Sequence, residues 1–274
     1  MGYYGRVLVL RAADEYDCNK HKFRPRFFWK MRYFMNFCKI ICWIICLPLL
    51  FMEIVGIYGI YKRLFPLLAY NITFSYNDKM HENKRDLFKN LNTFANTKDG
   101  TLRLLEIGCG SGANFKFYPY GCTVICTDPN LHFKKYLQMS MDTNMHLTYE
   151  QFVVSSGEDL RSMKDESVDV VVCTLVLCSV INVPRVLEEA KRILKPGGAL
   201  YFLEHVVSDP TTWTYFLQHV LQPLWYYLGD GCVVTRATWK DLEAAGFSKL
   251  KLKHIEAPQV TLMIRPHILG YAIK

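Results

Sequence analysis

No Cys-x-x-Cys pair occurs in this sequence, although it has ten cysteines. That absence removes the spacing of a zinc ribbon or a dithiol redox motif, and nothing in the remaining intervals suggests a disulfide framework. Cys38, Cys42 and Cys46 instead recur every fourth residue inside an apolar run, which places them on one helix face. Packing or lipid contact accounts for them, with reversible acylation as the alternative. Cys109, Cys122, Cys126, Cys173 and Cys178 fall in or beside strand-like runs. A free thiol acts there as a small hydrophobe, so a reducing compartment is expected. No Gly-Lys-Ser/Thr follows the glycines at 108–112, which excludes a P-loop. Repeats and low-complexity linkers are also missing, so residues 72–274 are expected to form one domain. Acids are scarce at the start: residues 1–39 hold nine Lys/Arg against three acids, taking +6 of the net +8 and leaving +2 for the rest. A nucleic-acid groove across the folded body is therefore not expected. A basic tail beside an apolar segment suits an anionic membrane face.

That apolar segment is "IICWIICLPLLFMEIVGIYGIY", residues 40–61, with Glu53 as its one charge. As a helix it would reach roughly 33 Å, enough to cross a bilayer. No small-x-small cleavage site follows it, so a cleaved secretory signal is not expected. Its apolar residues go all the way round, which fits a buried core helix poorly. Glu53 at mid-bilayer would cost about 3 kcal/mol, and Pro48 is expected to break the helix near its centre. Residues 20–39 hold seven Lys/Arg and residues 62–80 hold three, a bias that keeps the amino end cytosolic. A bent, monotopic or hairpin anchor would keep the rest of the chain cytosolic too. The organisation expected is a basic extension at 1–39, an anchor and connector at 40–71 and the domain at 72–274.

From residue 101 onward, β-rich runs alternate with helical ones, the pattern of a parallel sheet covered on both faces. Strands are expected at 102–107, 122–127, 148–154, 168–174, 199–205, 249–256 and 267–273. Helices are expected near 79–96, 114–118, 130–141, 184–194, 212–227 and 236–245. The last two strands have no convincing helix between them and should pair antiparallel at one edge.

"RLLEIGCGSGANF", residues 103–115, runs a strand into a glycine turn and a helix. Gly108, Gly110 and Ala113 satisfy the dinucleotide pattern, and Gly108, Gly110 and Gly112 satisfy a Gly-x-Gly-x-Gly pattern equally well, so the motif alone decides little. Asp128 lies just past the second expected strand, where a carboxylate grips ribose hydroxyls. Glu106 lies two residues before the first glycine. A carboxylate there disfavours pyrophosphate and favours a ligand carrying positive charge. S-adenosylmethionine has a ribose, a sulfonium, an ammonium and no phosphate. The competing reading of Glu106 is a solvated strand-end acid, and the competing ligand is a nicotinamide dinucleotide used by an oxidoreductase.

"LLEIGCGSGANF", "TDPN", "SSGEDL", "SVDVVVCTLVLCSV", "RILKPGGALYFLEHV" and "RPHILGYAIK" together resemble the class I S-adenosylmethionine-dependent methyltransferases. More closely, they resemble the methyltransferase-like protein 7 family of membrane-associated alkyl-thiol methyltransferases. The resemblance implies a Rossmann-like seven-stranded sheet, mostly parallel with an antiparallel final strand, behind an N-terminal membrane anchor. It implies that Gly108, Gly110 and Gly112 line the methionine portion of S-adenosylmethionine, oriented by Glu106. Asp128 would take the ribose hydroxyls, with Pro129 and Asn130 beside the adenine. Ser156, Gly157 and Glu158 would meet the adenine edge, and Cys173, Thr174 and Leu175 would pass close to the transferred methyl. Tyr76 is read either as a lid on the cofactor or as a core aromatic. The expected partners are a small lipophilic thiol and membrane lipid along residues 40–61, with no nucleic acid and no metal. The expected location is the cytosolic face of the endoplasmic reticulum membrane, with lipid droplets as a second site. Residues 1–39 depart from the resemblance as an extension.

Methyl transfer from a sulfonium needs alignment, exclusion of water and an anionic acceptor. A thiol is partly ionised at neutral pH and needs little base. His205, ending the fifth expected strand, is the candidate proton acceptor, with Glu204 as its orienting partner; a hydrogen-bonded strand-end histidine is the bland alternative. The aromatic stretch 211–227 is read as an acceptor wall or a plain core helix. Cofactor motifs leave the acceptor open, so a lipid or other small-molecule acceptor, or a non-catalytic membrane adaptor, stands beside the thiol reading.

Overall fold

The computed structural model describes residues 25–95, 100–258 and 260–274, the side chains of 25–31 excepted. Most of the basic extension expected at 1–39 lies outside the described residues. The chain begins with two helices, α1 at Pro25–Ile54 and α2 at Tyr58–Lys79. Pro48 sits inside α1 without ending it, contrary to expectation. One missing N–H costs about 3 kcal/mol in a helix interior, which a long helix packed along a neighbour can absorb. The break comes instead at Gly56, whose φ of +79° is cheap only for glycine.

Seven strands form one sheet: β1 Arg103–Ile107, β2 Thr123–Thr127, β3 Thr148–Val153, β4 Val168–Thr174, β5 Leu194–His205, β6 Lys249–Glu256 and β7 Pro266–Ile273. Their spatial order is β3-β2-β1-β4-β5-β7-β6. The first five are parallel, and β7 runs antiparallel to both β5 and β6. The expected antiparallel ending is present, with β7 inserted inside the edge strand. β5 begins five residues earlier than expected and carries Pro196-Gly197-Gly198 within it. A Cβ at Gly198 would lie 2.7 Å from the carbonyl oxygen of Asp169, so this glycine allows two backbones to approach.

Alternation along the strands builds two apolar layers. Leu105, Ile107, Val171, Cys173, Leu200 and Phe202 pack under α5, Val183–Ile193. Leu104, Val124, Val172, Tyr201 and Leu203 pack on the other face against Met80, Phe88 and Leu91. Those residues come from the C-cap of α2, from α3 (His81–Phe88) and from the short turn Leu91–Phe94. α4, Lys134–Thr143, follows β2. α6, Trp213–Leu228, and α7, Thr238–Ala244, lie between β5 and β6. α5 starts at an Asn182 cap that accepts the Arg185 N–H, with Pro184 in its first turn.

Candidate active site

The glycine turn leaves β1 with Gly108, Gly110 and Gly112 at φ of +61°, +51° and +75°. A Cβ at Gly108 would sit 2.5 Å from Val176 Cγ2, so position 108 has neither the backbone nor the space for a side chain. Three amides of the turn are already used inside the protein. Cys109 N–H donates to the Thr127 carbonyl, Gly112 N–H to the Cys109 carbonyl, and Gly110 N–H to Asp128 Oδ2 at 3.0 Å. A pyrophosphate would need those donors; a phosphate-free nucleoside does not. Asp128 Oδ1 accepts the Asn130 N–H at 2.8 Å. Burial pushes this carboxyl up to about 6 against those two amides. Each oxygen keeps a lone pair that can accept a further hydrogen bond.

Glu106 is buried at the end of β1 and is no solvated strand-end acid. Its Oε1 accepts from Asn114 Nδ2 and its Oε2 from the Tyr118 hydroxyl, each at 2.7 Å. Asn114 Nδ2 also donates to Thr174 Oγ1, while Asn114 Oδ1 accepts from Lys84 Nζ at 2.8 Å. Lys84 donates a second bond to Asn77 Oδ1 at 2.7 Å. Burial pushes Glu106 up to about 7 against the bonds from Tyr118 and Asn114 and the Lys84 charge. The same burial pulls Lys84 down to about 7, opposed by Glu106. The result is a buried acid and a buried amine bridged by one amide. Sequence reading found the acid and missed Asn77, Lys84, Asn114 and Tyr118, since no local spacing links two N-terminal helices to the glycine turn.

Asn130 caps the turn that follows, accepting the His132 N–H, and ties α2 down by donating to the Lys62 carbonyl. Pro129 is exposed beside it. Glu158 Oε1 accepts the Ile181 and Asn182 amides at 2.6 and 2.9 Å, and its Oε2 accepts from the Ser156 hydroxyl. Burial would raise this carboxyl, but those three bonds outweigh it and hold it low. Glu158 therefore fastens the loop after β4, and Gly157 is closed in by Ile107 Cγ2, 2.8 Å from a Cβ placed there. Cys173 is fully buried beneath the tip of β4. Thr174 Oγ1 accepts from Asn114 Nδ2, and Leu175 adopts a left-handed φ of +57° with its N–H on the Leu203 carbonyl. A non-glycine residue in that region is strained and marks the tip as a shaped feature.

The two candidates on β5 feel each other's charge but do not pair as expected. Glu204 and His205 are consecutive in a strand and so face opposite sides of the sheet. Glu204 Oε1 accepts the Val176 and Leu177 amides at 3.0 and 3.1 Å and so orders the loop after β4. No hydrogen bond joins it to His205 among the described residues. Burial pushes Glu204 up to about 7 against those amides, and its Oε2 is buried without a partner. His205 Nε2 lies 3.1 Å from Cys232 Sγ, and its Nδ1 is buried and unpartnered. Beside it in register, His267 donates from Nδ1 to the Arg265 carbonyl, so its Nε2 accepts the Tyr76 hydroxyl at 2.9 Å. Burial pulls His267 down to about 4, keeping it neutral. Tyr76 is thus a core aromatic tied to β7.

This strand order, a glycine turn at the end of β1 and an acid at the tip of β2 are the frame of the S-adenosylmethionine-dependent methyltransferase fold. The family model described as "Methyltransferase domain" matches residues 105–202. Among solved structures, a SAM-dependent methyltransferase from Thermotoga maritima superposes with a TM-score of 0.54 at 17% identity, covering 79% of this chain and 99% of that one. The [4+2]-cyclase SpnF superposes at 0.50 with 16% identity, covering 69% and 80%; its name shows that this frame does not dictate one reaction. Sequence relatives narrow the choice. Human thiol S-methyltransferase TMT1A is 56% identical over 213 residues, 78% of this chain and 87% of its own length. Human thiol S-methyltransferase TMT1B is 48% identical over 232 residues, 84% and 95%. The chain belongs to the thiol S-methyltransferase family: it moves the methyl group of S-adenosylmethionine to the sulfur of a small thiol.

Proposed function

We propose that the enzyme is monotopic, lies on the cytosolic face of the endoplasmic reticulum membrane and of lipid droplets, and methylates lipophilic thiols that arrive from the bilayer. One observation carries this reading: α1 is docked lengthwise on α6. Phe34 stacks on Phe216 with ring centroids 6.0 Å apart, and about two and three turns later Cys42 and Cys46 are buried on Tyr227, with Leu221 and Leu224 alongside. To cross a bilayer, α1 would have to carry α6 and the adjoining corner of the sheet with it. Yet the most apolar 18-residue window of Arg32–Ile54 has a mean hydropathy of 2.2, and only 11% of it is buried. Its outer face shows Phe37, Ile44, Ile45 and Phe51 to the surroundings, and α2 adds Leu64 and Ile72. A helix apolar on its free side and docked on the other suits the membrane interface. Protease added to sealed microsomes is expected to digest residues 80–274; a protected fragment of that span would place the domain in the lumen and overturn the topology.

Within the site, Asp128 holds the ribose hydroxyls, and the Glu106–Asn114–Lys84 cluster sets the charge beside the methionine portion. Gly157 and the backbone around Ser156 receive the adenine edge. Thr174 and Leu175 shape the wall beside the transferring group. S-adenosylmethionine supplies an already activated methyl group, so these residues have to align, exclude water and favour the anionic acceptor. The acceptor loses its proton at the corner built on His205. α6 packs Leu217, Leu221 and Trp225 against that corner, which supports the acceptor-wall reading of the 211–227 stretch over the plain core helix, while its other side carries α1. His205→Ala is expected to lower turnover of a high-pKa alkyl thiol about tenfold, less than a usual acid–base residue because thiols ionise easily. Cofactor affinity by calorimetry should not move. Unchanged turnover would remove His205 from the site. A panel of lipophilic thiols against matched alcohols, assayed with labelled donor on the detergent-solubilised chain, tests the acceptor class; label in alcohols alone would overturn it.

A further inference from the structure

Cys178, His205 and Cys232 come from three separate segments: the loop after β4, the end of β5 and the loop after α6. Their ligand-type atoms, two thiols and one imidazole nitrogen, all lie within 4.8 Å of one another, and all three residues are buried. His205 Nε2 is 3.1 Å from Cys232 Sγ. Across a tetrahedral zinc ion a sulfur and a nitrogen stand about 3.5 Å apart, so a few tenths of an ångström of outward movement would open the position. One feature marks this corner as more than core packing. Trp225 Nε1 donates to Cys232 Sγ at 3.2 Å, the outer hydrogen bond that orients and supports a sulfur ligand.

We propose that Cys178, His205 and Cys232 bind one soft divalent cation, zinc by preference, with its fourth position left for the sulfur of the acceptor. Two thiolates and one imidazole form a three-ligand set, and tetrahedral zinc with three protein ligands keeps an open place for substrate. The side chains packed around Cys178 and Cys232 are apolar, Leu217, Leu221 and Met263 among them, surroundings that suit a lipophilic thiol. The acceptor's S–H bond is replaced by a sulfur–metal bond, its proton leaves to solvent, and the sulfur keeps a lone pair for the methyl group. His205 then holds the cation through one nitrogen instead of taking the proton itself. This second half rests on the thiol reading above; the cation site does not.

The test uses the full chain purified in detergent with a non-chelating reductant. Elemental analysis should find about one zinc per chain, and Cys232→Ser and His205→Ala should each lower that at least about tenfold. Because either variant could misfold, the wild-type chain is also reconstituted with cobalt. Thiolate-to-cobalt charge-transfer absorption in the near ultraviolet is expected, and an added alkyl thiol should alter the visible bands. Wild-type protein that binds S-adenosylmethionine but holds no zinc after incubation, and shows no cobalt absorption, overturns the site. Metal bound with visible bands unmoved by any thiol overturns the open position and leaves a structural ion. Metal bound with bands that move, but methyl transfer only to another acceptor, would count against the thiol reading and keep the cation site.

Discussion

Asp128→Ala is expected to weaken binding of S-adenosylmethionine about 100-fold, with the KM for thiol unchanged. Hydrogen bonds to a charged group are worth about 1.5–3 kcal/mol, which is roughly tenfold to 150-fold in affinity. Here the same carboxylate also anchors the Gly110 and Asn130 amides at 3.0 and 2.8 Å, so its loss slackens the glycine turn as well. Asp128→Asn keeps one acceptor oxygen and should lose about tenfold, separating the turn from the charge. The pH dependence adds a second readout. Burial pushes Asp128 up to about 6 in the free protein, and only the ionised form accepts from both ribose hydroxyls. Affinity should therefore be flat above pH 7 and fall as pH drops through 6, and the alanine variant should lose that step. Calorimetry at pH 5.5, 6.5 and 7.5 checks both; equal affinity in wild type and alanine variant would place the ribose elsewhere.

Asp128 was legible because its evidence is local: a strand, a glycine turn, a second strand and an acid at its tip. The sheet was legible for the same reason, since its strands are short apolar runs bounded by turns. Departures arise where long-range contact decides. Pro48 stays helical because α1 leans on α6, and β5 starts early because Gly198 lets its backbone meet that of β4 at Asp169. Glu204 and His205 looked like partners through adjacency in sequence, yet the two-residue period of a strand sends them to opposite faces. The Cys178, His205 and Cys232 cluster was invisible, because its members stand 27 residues apart in sequence at each step and only the fold joins them. Even then, the absence of Cys-x-x-Cys spacing had pointed away from a metal. Lys84 gave no signal either: a lysine in "HENKRDLF" reads as a solvated helix face, and only contact with Asn77 and Asn114 shows that it is buried.

Lys84→Met should destabilise the fold by about 3 kcal/mol at pH 8 and much less at pH 5, because only the wild-type chain regains stability above pH 7. Removing one member of a buried charged pair costs about 3–5 kcal/mol because the other is left uncompensated. Glu106 is that other member. Its folded value, raised by burial to about 7 from the ordinary 4.5, means that its contribution to stability is present below 4.5 and lost as pH rises through 7. A gap of that size is worth about 3 kcal/mol. Lys84 has the opposite sign: lowered by burial to about 7 from 10.5, it favours the fold at high pH and loses that favour as pH falls through 7. The two tendencies occupy adjacent windows, Glu106 between 4.5 and 7 and Lys84 between 7 and 10.5, so wild-type stability should fall to a minimum near pH 7 and rise again above it. With methionine at 84, only the acid's tendency remains, and Glu106 moves further up without the ammonium nearby. Lys84→Met/Glu106→Gln should give a flat profile, since glutamine can still meet Asn114 and Tyr118 without a charge. Urea unfolding in detergent at pH 5, 6.5 and 8 measures all three chains. A Lys84→Met profile parallel to wild type would show that acid and amine are not coupled, and would remove the cluster from the account of the site.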